Sequence, residues 1–204
     1  MDDGVTTTPF VPRHAADIPA LIAQYPLAWV VSAGVEGGAA TPLPLLPETD
    51  ADGKVVALFG HFALRNPQVD LLRHQPRAMV LFQGPNAYVP ARLVPKADWG
   101  PTWNYAVLRF DVEIEFVAEE TLASIERLAA ALEHGRADPW TPDHMGARKD
   151  ELVRYIVAFR AHVTALEARY KLGQDEAPEI FDAIVAGLDD RALAGWMTRT
   201  VRGR

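Results

Sequence analysis

His61 and Arg65 stand just ahead of Asn66-Pro67 in the segment GHFALRNPQ, where a strand gives way to a helix. Asn is a favoured helix N-cap, and Pro at the first helical position loses no hydrogen bond. Free backbone N–H groups and the positive end of the helix macrodipole, with His61 and Arg65 beside them, suit a phosphate. The same residues admit a plainer reading, in which Asn66 only caps, Arg65 is a solvated charge and His61 is a satisfied polar side chain. Gln83 and Gly84 end the strand RAMVLFQG. There an amide can pair with the edge of a planar heterocycle and a glycine lets backbone approach closely; an ordinary strand end with a Gly-Pro turn is the alternative. The third candidate is PTWNYAVLRFDVEIEF. From Leu108 to Phe116 it alternates apolar and polar, as a strand with one buried face does. Traced backwards, however, Tyr105 and Trp103 fall on the polar side and Asn104 on the apolar side. Two aromatics left in water are disfavoured, so either another element covers them or they line a ligand cleft or a subunit seam.

Other chemistries leave no trace. The six histidines show no HxH, HxxxH or HExxH spacing, so no metal site is legible. Without cysteine, disulfides, iron–sulfur clusters and thiolate catalysis are excluded. No GxGxxG, P-loop or GxSxG motif occurs. The net charge of −7 disfavours a broad nucleic-acid footprint. The one basic cluster, Arg199, Arg202 and Arg204, reads as a frayed, solvated tail. The acidic N-terminus MDDGVTTTPF has no signal-peptide pattern and no apolar run is long enough to span a membrane, so a cytoplasmic protein is expected.

The elements that would position these residues follow from periodicity. The chain reads as one domain over residues 1–204. A helix is expected over Ala15–Gln24, a strand over Leu27–Ala33 and a turn at GVEGG. ATPLPLL, with Pro42 and Pro44, can only be an edge strand or irregular. KVVALFG is a strand, Asn66 opens a helix, RAMVLFQG is a strand with PNAYVP a short extended piece, and residues 90–101 form an irregular loop. Helical stripes are expected at Leu122, Ile125, Leu128 and Leu132, and again at Leu152, Ile156, Phe159 and Val163. TALEARYKL predicts a last strand, and Pro178 a last helix. Strands and helices do not alternate regularly, so an α+β fold, a mainly antiparallel sheet or barrel with helices outside, is expected.

FVPRH, GHFALRNPQ, FQGPNAYVP, PTWNY and RYKLGQ, in that order, resemble the PaiB-type FMN-binding transcriptional regulators, within the split-barrel flavin-binding superfamily. The resemblance covers roughly Phe10 to Leu188. It implies a six-stranded split β-barrel with peripheral helices, a homodimer, and FMN at the subunit seam. It places His61, Arg65 and Asn66 on the phosphate side and Gln83 and Gly84 beside the ring. Trp103, Asn104 and Tyr105 of PTWNY fall at the seam, and Lys171 and Gln174 reach the site. It also implies a flavin-dependent oxidoreductase or a flavin-responsive regulator. Departures from the family pattern are Pro42, the Ala91-Arg92-Leu93 run, Arg160, Gly173 and Asp175, with the motif arginine one position late as Arg65. These motivate an alternative: a split barrel that has lost flavin and holds another planar ligand such as haem, or serves as a dimeric interaction module. The regulator name also suggests DNA binding, against which stand the charge and the lack of a helix-turn-helix signal.

Overall fold

The computed structural model describes residues 8–34 and 37–203. Most of the acidic N-terminus and the centre of the expected GVEGG turn lie outside the described residues. The strands are β1 (Leu27–Gly34), β2 (Gly37–Pro44), β3 (Leu46–Thr49), β4 (Val55–Ala63), β5 (Arg77–Val89), β6 (Thr102–Phe116) and β7 (Ile156–Lys171). The helices are α1 (Asp17–Gln24), α2 (Pro67–His74), α3 (Thr121–Glu133), α4 (Arg148–Val153), α5 (Pro178–Gly187) and α6 (Arg191–Arg202). All seven strands join one sheet, in the order β2-β1-β5-β6-β7-β4-β3, and every paired neighbour is antiparallel.

Six strands were expected and seven are present, because β3 is only four residues long and contains Pro47. The sheet is not hydrogen-bonded into a closed barrel: β2 and β3 are its two edges. Yet only Leu45 separates them in sequence, so the sheet must curl until its edges meet at that corner. Gly60 of β4 marks the meeting, since a Cβ there would lie 2.5 Å from Leu45 Cδ2 and 3.2 Å from the Pro44 carbonyl oxygen. Pro42 and Pro44 sit on edge strand β2, where a missing N–H breaks no inner ladder.

The curl encloses one core. Asn104, Ala106, Leu108, Phe110, Val112 and Ile114 of β6 all face inward and are buried. Phe110 meets Phe82 edge-on at 5.9 Å, and Phe62 meets Phe159 at 4.8 Å. The strand therefore keeps one parity throughout: Asn104 is inside and the aromatics are outside.

Three further expectations are corrected. Gln83 and Gly84 do not end a strand, since β5 runs on through PNAYV to Val89 after a register shift between Gln83 and Asn86. The stripe Leu152, Ile156, Phe159 and Val163 is not one helix; α4 ends at Val153 and β7 runs from Ile156. The alternation of β7 is hidden because α3 covers its outer side. Ala158 packs outward with Phe59 and Val117 while Val157, Phe159 and Ala161 pack inward, leaving a nearly continuous apolar run. The tail as far as Arg202 is helical and not frayed, while Arg204 lies outside the described residues. Asp190 caps α6 by accepting from the Leu193 N–H at 2.9 Å, and Leu193, Trp196 and Met197 enter the core. Arg199 donates to the buried Asp17 carboxylate at 2.7 Å.

Gly84 gives a test of this packing. A Cβ there would lie 2.7 Å from Leu21 Cδ1 of α1 and 3.1 Å from the Ala106 carbonyl oxygen. Because the second neighbour is backbone, Gly84→Ala is expected to destabilise by about 1–3 kcal/mol, the usual cost of overpacking. A urea unfolding midpoint unchanged from wild type would show that α1 does not press on β5 in this way.

Candidate functional site

Outward side chains gather where β6 begins. Trp103 is 52% exposed and Tyr88 of β5 50% exposed, with ring centroids 6.1 Å apart. Tyr105 is half-buried beside them. Across the ladder, Lys171 lies opposite Tyr105, and Arg169 opposite Val107, which in turn lies opposite Gln83. Lys171 Nζ donates to Thr102 Oγ1 and, at 3.1 Å, to the Trp103 carbonyl. Arg169 lies over the Phe10 ring at 5.7 Å. Among the described residues neither cation forms an ion pair with a carboxylate. Exposed aromatic faces, two uncompensated cations and the exposed Gln83 amide are the groups that a planar ring carrying a phosphate requires, so this corner fits a flavin mononucleotide. The chemistry brought would be the flavin's own electron transfer. The chain's part would be to stack, orient and neutralise.

Gln83, Trp103, Tyr105 and Lys171 of the expected site are thus brought together. Three others near them have partners within the protein. Asn104 is 2% exposed and its Nδ2 donates to Met197 Sδ at 3.7 Å, under α6. Gly84 is approached by Leu21 of α1. Gln174 closes the turn after β7: its Oε1 accepts from the Leu172 N–H at 2.7 Å and its Nε2 donates to the Tyr170 carbonyl.

His61, Arg65 and Asn66 lie elsewhere. His61 pairs with Ala158 of β7, near where Phe116 ends β6. The eleven residue steps from Tyr105 to Phe116 span about 36 Å of strand, so one mononucleotide does not touch both places within a protomer. Asn66 caps α2, its Oδ1 accepting from the Gln68 N–H at 2.9 Å, and its Nδ2 donates to Thr41 Oγ1 at 2.9 Å. Gln68, unread in the sequence, is wholly buried there. It donates to the Val30 carbonyl at 2.9 Å and to Ser32 Oγ at 3.0 Å, and accepts from Thr41 Oγ1 at 2.7 Å. Its helical position, one turn from Leu72, gave no sign that an amide would replace an apolar residue.

His61 and Arg65 line a cleft of about 910 Å³ between α3, the ends of β4 and β7, and the segment carrying Trp140 and Met145. Ser124 Oγ donates to the Thr121 carbonyl at 2.7 Å and lies 3.1 Å from His61 Nδ1. With its only proton so placed, Ser124 accepts from Nδ1–H, which fixes the imidazole tautomer. Burial pushes the His61 pKa below its ordinary value.

By fold, the molecule is similar to flavoprotein structures. It matches the FAD and Heme binding protein from Mycobacterium smegmatis with a TM-score of 0.58 and 14% identity, covering 86% of this chain and 79% of that chain. The Flavocytochrome Anf3 from Azotobacter vinelandii matches with a TM-score of 0.58 and 11% identity, covering 79% of this chain and 69% of that one. At such identities the likeness is one of fold. In sequence, the Protease synthase and sporulation protein PAI 2 of Bacillus subtilis (strain 168) is 32% identical over 120 residues, which is 57% of this chain and 56% of that protein. The match therefore spans little more than half of that relative. Residues 6–165 match the family described as "Putative FMN-binding domain". The chain belongs to this family, as PTWNY and the GH–NPQ segment indicated.

The His61 environment gives a pH test. Its folded pKa lies below the unfolded value of about 6.5, so the unfolded chain takes the proton first as pH falls. The neutral imidazole's contribution is complete above about pH 6.5 and is lost below it, by at most about 1.4 kcal/mol per pH unit. Melting temperature is expected to fall more steeply from pH 6.5 to 5 in the wild type than in His61→Gln. Parallel curves would show that His61 is not held neutral.

Proposed function

We propose that this protein is a homodimer that binds FMN at the corner of Trp103, Tyr105, Tyr88 and Lys171, acting as a flavin-dependent oxidoreductase or a flavin-responsive regulator. The observation that carries this reading is the cluster of half-exposed aromatics beside uncompensated cations in a chain of an FMN-binding family. The dimer is supported by the surface that continues from it. Trp29 of β1, 49% exposed, lies opposite Leu81 of β5, and Leu27, Val107 and Met79 share the same outward face. Such a contiguous apolar sheet face is unfavourable in water and suits a second copy laid across it. The arrangement is the finer fold implied by the resemblance, a split barrel whose flavin sits at the seam. Two FMN sites per dimer follow from the two-fold symmetry.

Two measurements test this. Purified protein is expected to copurify with FMN or to bind added FMN with flavin absorbance in the blue. Colourless protein that ignores added FMN ends the reading, and a Soret band moves it to the haem alternative suggested by haem-binding fold neighbours. In addition, Trp103→Ala with Tyr105→Ala is expected to weaken dimer and FMN binding by up to about 1.5–3 kcal/mol per ring, with little effect on the monomer core. Phe110→Ala, at a fully buried position, should instead cost about 3–5 kcal/mol of fold stability. Sedimentation and thermal melting separate the two. A double variant with unchanged dimer and FMN affinity would contradict the seam.

A further inference from the structure

We propose that the cleft between α3 and the β4–β7 ends is a second binding site, for an aliphatic carboxylate, separate from the flavin corner and independent of that reading. Its size, about 910 Å³, is that of a ligand pocket. Its walls are mainly aliphatic, with Leu64, Ile125, Leu128, Leu132 and Leu152 supplying side chains and Trp140 closing one side. Leu64 and Trp140 are among the large apolar residues exposed to water. An apolar chain seated there would remove that surface from water.

The charge at its mouth selects the head group. Ala63 of β4 pairs with Ile156 of β7, and the Leu64 N–H donates to the Tyr155 carbonyl at 2.8 Å. Arg65 follows Leu64 and Arg154 precedes Tyr155, both in turns just beyond the ladder, and both line the cleft. Two guanidinium groups thereby border the same cleft. Among the described residues neither forms an ion pair. A carboxylate seated in the cleft would meet charge-assisted hydrogen-bond donors from these side chains. The nearby carboxylate, Glu133, is engaged with Arg136 at 3.3 Å and with the Trp140 N–H at 3.2 Å. His61, neutral and donating to Ser124, adds no further positive charge.

Dodecanoate, titrated below its micellar concentration and followed by tryptophan fluorescence and calorimetry, tests the site. Saturable one-to-one binding is expected. It should weaken at least tenfold in Arg154→Gln and in Arg65→Gln, and recover in part in Arg154→Lys. It should weaken similarly when dodecanol replaces the acid, and saturating FMN should not displace it. FMN titration of the same variants should match the wild type, and far-ultraviolet circular dichroism checks that both substituted surface residues leave the fold intact. The proposal is overturned by wild-type protein that does not bind dodecanoate, by affinity that ignores the head group and both arginines, or by one-for-one displacement by FMN. The last result would make the cleft the flavin's own pocket and would also refute the corner assignment. Absent FMN binding together with arginine-dependent dodecanoate binding would refute only the flavin reading.

Discussion

Leu45 is the residue on which the architecture turns. It is the sole link between β2 and β3, strands that stand at opposite ends of the sheet order, and it is completely buried. One residue spans only about 3.5 Å, so the two sheet edges cannot lie apart, and seven antiparallel strands must roll into a curved wall around one core. No backbone ladder between the edges enforces this. The enforcement is covalent at Leu45 and polar at Gln68, whose buried amide reaches Val30 and Ser32 of β1 while its oxygen accepts from Thr41 of β2. A buried amide with its hydrogen bonds met is specific as well as stabilising, because any slip of α2 would leave these groups unpaired. Removing the amide would therefore loosen the rim rather than a ligand site.

The rolled sheet also decides where chemistry is possible. Its outer side is divided by α3. Where α3 lies, Phe59, Ala158 and Val117 are buried and Arg160 is gripped by Glu48 and Glu120, at 2.6 and 2.9 Å. Where no helix lies, Trp29, Tyr88 and Trp103 remain half in water. The aromatic corner and the α3 cleft occupy the two ends of the same long strands. They are therefore joined by rigid β-sheet yet separated by more than one cofactor's length.

Much of this was readable from periodicity where a strand has one wet face and one dry face. β6 alternates over fifteen residues, and its inward set was legible from Leu108 onward. The apparent reversal at Trp103 and Asn104 came from equating polar with wet. Asn104 is inside because Met197 of α6 offers it a sulfur acceptor, a partner ninety-three positions away that local sequence does not reveal. β7 failed for the opposite reason: covered on both sides in its first half, it lost the period-2 signal and its apolar residues fell by chance on helical spacing. The aromatic corner was found because exposed aromatics violate an expectation. Arg154 was missed because an exposed arginine violates none until the cleft it borders is known.

Three of the departures from the family motifs, Gly173, Arg160 and Pro42, have structural places of their own. Gly173 has φ of +87°, in the left-handed region where a serine would be strained, and a Cβ there would press to 3.2 Å on Phe181 of α5. Glycine at this turn lets α5 and α6 pack tightly against β7, so its effect is on packing and not on a lost hydroxyl contact. Arg160 serves the ion pairs under α3. Burial alone would raise the Glu48 pKa, but hydrogen bonds and charge from Arg160 and Arg127 outweigh it and hold the carboxyl below its ordinary range. Pro42 stands on an outer edge, exposed, opposite Trp29. None of these three changes removes an aromatic ring or a cation from the corner of Tyr88, Trp103, Tyr105 and Lys171. At these three positions the replaced motif residues had places in a turn, an edge and an ion-pair network.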